Sequence, residues 1–157
     1  MKKIIIVFFL LAFLSCKTKK SITETNETAV KSVKIVNSND VDSKVTDKAL
    51  NLGTRLLETC NTSKFKPFNS DEATQSVIQK STLKNISETC KKINFRNGKF
   101  ISLDLIEIKH DEINNQYIFK YDINYEKKYF KRELTVFINS ENKVSSMSTK
   151  EIKPKMM

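Results

Sequence analysis

Apolar and polar positions fall into three regimes along the chain. Residues 4–14 are an unbroken apolar run of eleven, and residues 17–42 are rich in Lys, Ser, Thr, Asn and Glu and contain no aromatic. Regular periods then begin. Val45, Ala49, Leu52 and Leu56 stand at i, i+4, i+7 and i+11, which is one face of a helix. Asp42 or Ser43 can cap that helix, and Asn61-Thr62-Ser63 ends it. Gly53 within it costs about 1 kcal/mol and marks close packing. Phe65 and Phe68 pin the following loop to the core. Ser70 is expected to cap a second helical stretch, with Asp71 and Glu72 in its first turn, where the helix dipole favours anions. Ala73 and Val77 open its apolar face, Leu83, Ile86, Cys90 and Ile93 continue it, and Asn97-Gly98 closes it.

After Gly98 the period becomes two. Tyr117, Phe119, Tyr121, Ile123 and Tyr125 alternate with Ile118, Lys120, Asp122, Asn124 and Glu126, the pattern of a half-buried strand. Residues 100–109 form a strand before it, with the alternation broken at Leu105-Ile106 as a bulge would break it. Residues 111–115 make the turn between them. Phe130, Arg132, Leu134, Val136 and Ile138 mark a third strand, and residues 140–143 turn into a fourth carrying Val144 and Met147. The fold class is α+β: two or three N-terminal helices packed on a curved four-stranded antiparallel sheet, occupying residues 43–157. Val33-Lys34-Ile35-Val36 has strand-forming residues but is assigned to the polar segment that precedes the fold.

A helix of eleven residues spans about 16 Å, against roughly 30 Å of bilayer core, so residues 4–14 suit a cleaved export signal behind Lys2-Lys3 better than a membrane span. The run ends in Leu14-Ser15-Cys16, which resembles the lipobox of bacterial lipoproteins. Phe13 and Leu14 depart from the commonest residues at their positions, whereas Ser15 and Cys16 match. The resemblance implies a signal over residues 1–15, a lipid-carrying Cys16, and anchoring to a membrane through that lipid. Ordinary cleavage before Cys16 would need small residues at the first and third positions before the cut, and Phe13 fails that test. Neither an Asp directly after Cys16 nor an early acidic run is present, which implies the outer membrane, facing the periplasm. Residues 16–42 are then the lipidated Cys and a flexible tether with a reach of roughly 25–30 Å.

Helices leading into a curved antiparallel sheet resemble the nuclear-transport-factor-2-like (NTF2-like, cystatin-like) domains of small bacterial lipoproteins. The likeness rests most on Phe130-Lys131-Arg132-Glu133-Leu134-Thr135-Val136-Phe137 and the turn over residues 139–144. It implies a cone whose mouth can take a small ligand. Some members of that fold are enzymes, and many serve as binding or assembly modules.

Charge narrows the classes further. The formal net charge is +10, and residues 43–157 carry twenty-one Lys and Arg against fourteen acids. Read along the chain, the lysines are interspersed with Asp and Glu, unlike the Arg-rich patches of nucleic-acid binders, so no nucleic-acid partner is expected. Cys60 and Cys90 are either two separate thiols or a disulfide, which an exported chain can keep. A bridge closing about thirty residues would contribute roughly 3–4 kcal/mol. Zinc needs three or four ligands, and two Cys with one distant His supply too few; no metal or other cofactor is expected. His110 is placed at the exposed start of a turn, a poor position for a catalytic base. Tyr117, Tyr121 and Tyr125 are either core or an aromatic mouth for an apolar ligand. Asp122 faces water, or supplies a pocket carboxylate if the sheet curves the other way. No Gly-rich phosphate loop, nucleophile elbow or His-x-x-x-His pair occurs. The reading is a lipid-anchored, non-enzymatic binding or assembly module of the cell envelope, with an envelope protein or a small apolar ligand as partner. The alternative is an isomerase- or dehydratase-type enzyme using the cone, with Asp122 or a tyrosine as its polar group.

Overall fold

A computed structural model describes residues 32–153. Strand β1 (Val33–Val36) leads through a 3₁₀ turn (Ser38–Asp40) into helix α1 (Ser43–Thr62), followed by α2 (Gln75–Lys80) and α3 (Leu83–Asn97). Four strands complete the chain: β2 (Phe100–Asp111), β3 (Gln116–Tyr125), β4 (Lys131–Ile138) and β5 (Val144–Ile152). All neighbours pair antiparallel in the order β1-β2-β3-β4-β5, and the sheet is not closed. The three helices pack on one of its faces. Among the described residues, the elements run from position 33 to position 152 and the core from Val41 to Val144.

The Asp42 carboxylate accepts the Lys44 amide at 2.9 Å and starts α1; Ser63, in the left-handed region with φ 56°, ends it. Ala49, Leu52 and Leu57 turn inward on the helical period, and Phe119, Tyr121, Leu134, Val136 and Ile138 meet them on the strand period of two. Complete burial stabilises each of the aliphatic and phenylalanine side chains by about 1.5–3 kcal/mol. Gly53 lets the two layers touch: a Cβ there would stand 2.7 Å from Leu134 Cδ2 and 3.2 Å from Leu103 Cδ1. Lys48 near the start of α1 donates to the carbonyl of Asn142, and Asn61 near its end donates to that of Phe100. The helix therefore runs the length of the sheet. One end of the molecule holds the β2–β3 and β4–β5 turns; the other, about 30 Å away, holds the β3–β4 loop and the ends of α1 and α3.

Several expectations are corrected. The sheet has five strands rather than four, because Val33–Val36 pairs with residues 108–111 of β2. The fold thus begins at Val33, inside the segment assigned to the tether. Ser70 caps no helix: Asn69 Oδ1 accepts the amides of Asp71 and Glu72 to form a turn, and Ala73 bridges to Val144. The single second helix is in fact two, since the Thr82 hydroxyl takes the Asn85 amide and restarts the helix after a break at Ser81. His110 lies within β2 with its ring 4.8 Å from that of Tyr117, not at a turn tip. The bulge at Leu105–Glu107 is present, and Phe68 is buried with Phe65 edge-on at 5.3 Å.

Candidate functional site

Of the tyrosine row, only Tyr125 shares a cleft with Asp122. Successive strand residues point to opposite faces, so Tyr121 and Tyr125 enter the core and Asp122 lies on the outer face of the sheet. Tyr121 is only 2 % exposed and its hydroxyl has no hydrogen-bond partner; burial pushes its phenol up. Burial also raises Tyr125, and the neighbouring Arg132 works against that. Tyr117 is half-buried against His110. Side chains thus fill the space where a cone mouth was expected along this row. A hollow of about 290 Å³ does remain beside the helices, and its lining is mainly apolar: Leu56, Leu57, Ile86, Ile93 and the sulfurs of Cys60 and Cys90. Those two cysteines are joined, Sγ to Sγ, at 2.03 Å. Cys16 lies outside the described residues. Among the described residues, no three of His, Cys, Asp and Glu stand close enough to hold a metal ion, and no helix is long and apolar enough to cross a membrane.

Chemistry concentrates at the end of the sheet away from the turns. Gly98, at φ +75°, terminates α3 with its amide on the Asn94 carbonyl, and a Cβ there would meet Glu126 Oε2 at 2.9 Å. This tight corner seats the β3–β4 loop on the helix end. Glu126 N–H donates to the Lys99 carbonyl, Lys127 N–H to that of Asn97, and Lys99 N–H to the Glu126 carboxylate, at 2.9–3.0 Å. The buried Asn97 amide donates to the Phe130 carbonyl at 3.0 Å, and Lys127 Nζ to the Phe95 carbonyl at 3.3 Å. Arg96 stacks over the Phe130 ring at 4.0 Å and pairs with Glu151 at 3.0 Å.

That framework presents an exposed end. Phe95 is 85 % exposed, Tyr129 82 % and Ile101 62 %. Around them stand Lys91, Lys92, Lys99, Lys127 and Lys128, none of which makes an ion pair among the described residues. A cleft of about 520 Å³ opens beside the loop between Ile101, Lys127, Lys128, Phe130 and Lys131. Asp122 and Tyr125 border it too, with Asp122 engaged by Lys131 at 2.9 Å. The remaining outer face of the sheet is neutralised locally, Lys120 reaching Glu133 at 3.1 Å and Glu107 at 3.7 Å.

Sequence reasoning missed this end. The lysines that look interspersed along the chain converge once α3 and the β3–β4 loop meet. The local signal was the run Lys127-Lys128-Tyr129-Phe130-Lys131-Arg132, read only as the start of a strand. No family model, curated protein or solved structure matches the chain.

Proposed function

We propose that this protein is a lipid-anchored, non-enzymatic binding module of the bacterial cell envelope, held through Cys16 and working through the surface of an NTF2-like (cystatin-like) domain. One long helix lying along an antiparallel meander supports that fold reading. The observation that carries the function is the burial of the tyrosine row. Tyr121 and Tyr125 are packed into the core, so the side chains that could have lined a catalytic mouth hold the layers together instead. A surface is then what the domain offers to an envelope partner. Anchoring follows from the apolar run ending at Leu14-Ser15-Cys16: two or three acyl chains on the mature terminus hold a protein to a bilayer, whereas one holds it only reversibly. The test compares the wild-type chain with Cys16→Ala in a bacterial host, by membrane fractionation and intact mass. The expected result is an acylated, membrane-bound wild type and an unacylated variant. Identical mass and solubility for the two would end the proposal.

A further inference from the structure

The end that carries Phe95, Tyr129 and Ile101 combines two features that each cost a soluble protein something. Large apolar side chains are left in water, and five lysines are gathered without a salt bridge among the described residues. Scattered exposed apolar residues are ordinary, but three at one end, ringed by lysines, make a patch that marks an interaction surface. We infer that this end docks on the surface of an anionic phospholipid bilayer, with the three apolar side chains entering the interface and the lysines lying over the headgroups. Charge complementarity selects an anionic partner. Residue type selects a bilayer. Ile101 cannot stack on a base, as the apolar members of a nucleic-acid surface would. Its cations are mostly lysines, compact point charges suited to diffuse headgroup attraction, while Arg96 and Arg132 are already bound to Glu151. Aromatic rings beside lysines are also the side chains that settle at the water–lipid boundary. The amides of Lys99, Glu126 and Lys127 fix the loop against α3, so the patch is preformed.

This binding does not rest on lipid at Cys16, and the test keeps the two apart by using unacylated protein, residues 17–157, which lack the cysteine and the apolar run but keep every described element. Sedimentation with vesicles of phosphatidylglycerol and phosphatidylcholine mixed equally, and of phosphatidylcholine alone, gives a partition coefficient for each. Binding is expected only to the anionic vesicles, falling as salt rises from 50 to 500 mM. The double variant F95S/Y129S is expected to lower the coefficient at least tenfold with unchanged thermal melting, because both side chains are exposed. K127E/K128E is expected to lower it at least tenfold and to melt slightly earlier, because the bond from Lys127 Nζ to the Phe95 carbonyl is lost. Three results would overturn the inference: no binding to anionic vesicles, binding that ignores F95S/Y129S, or tighter capture by inorganic polyphosphate than by vesicles. The last two would mean that only general cationic attraction operates.

Discussion

At the turn end of the sheet the Asp111 carboxylate accepts four donors: the Ile113 and Asn114 amides and the side chains of Asn114 and Gln116. Glu112 beside it is met by Lys34 at 2.7 Å. At the opposite end, Lys91, Lys92, Lys99, Lys127 and Lys128 stand together with no carboxylate partner among the described residues, around Phe95 and Tyr129. Both ends are made of chain reversals held by backbone hydrogen bonds, so turn geometry does not explain the contrast. Part of the cationic charge complements the carbonyl ends of α1 and α3, which both terminate there and carry partial negative charge. Two helix ends amount to about one elementary charge and the Glu126 carboxylate at this corner supplies another, which still leaves the five lysines in excess. One end satisfies itself and the other awaits something anionic.

The largest way to break this contrast is through the covalent link. Cys60–Cys90 ties the last turn of α1 to α3 just before the basic end, and Asn94 reinforces it by donating to the Cys60 carbonyl at 2.7 Å. Reduction, or C60A/C90A, is expected to cost about 3–4 kcal/mol from the thirty-residue loop it closes. Thermal melting with and without reductant measures that. Hydrogen exchange should rise more in residues 91–99 and 126–130 than in residues 111–116, and equal loosening at both ends would argue against a separately built basic end. Gly98→Ala comes next, at roughly 1–3 kcal/mol in urea unfolding, since it adds a side chain at positive φ against Glu126. By contrast Asn115→Gly, at a turn position with φ 45°, should stay within about 0.5 kcal/mol.

The acids sharpen the comparison through pH. Glu72 is held below the usual carboxylate range by its hydrogen bond to Arg55 at 2.7 Å, with burial opposing and the Asn69 amide assisting. A carboxyl whose pKa falls on folding stabilises the protein above its unfolded value, near 4.5, and loses that contribution as pH falls through the folded value. Glu72→Gln should therefore cost about 1–2 kcal/mol at pH 7 and progressively less in melts run below pH 4.5. Asp111 is lowered first by the Asn114 side chain and then by the Asn114 amide; it lies near the surface, yet its own turn encloses it. Asp111→Asn should show the same pH sign with the smallest loss of the series.

Much of the fold was legible because its periods are strong. The Tyr117-to-Tyr125 alternation, the helix through Val45 and Leu56, Gly53 as a contact point and the Leu105 bulge all report local geometry that burial then enforces. β1 was missed because four residues carry too short a period to separate strand from polar tether; its ladder to Ile108–Asp111 is non-local information. The split between α2 and α3 was missed for a related reason. Leu83, Ile86, Cys90 and Ile93 continue an apolar face across the break, and only the Thr82 cap declares it. The candidate site was the least legible part. Phe95 and Tyr129 are distant in sequence, and neither belongs to an apolar period, so they come to the same end of the molecule only through the Asn97 and Lys127 contacts.

Orientation on a bilayer tests the central contrast most directly, because Ile113 at the tip of the turn end is 73 % exposed and apolar yet lacks the lysine ring. Spin labels placed singly through Tyr129→Cys and Ile113→Cys in residues 17–157, with Cys60 and Cys90 joined, can be read on anionic vesicles by their relative accessibility to oxygen and to a water-soluble nickel chelate. The label at 129 should be shielded from nickel and exposed to oxygen, and the label at 113 should remain in water. Bound protein with the label at 129 in water, or with that at 113 immersed, would contradict the account.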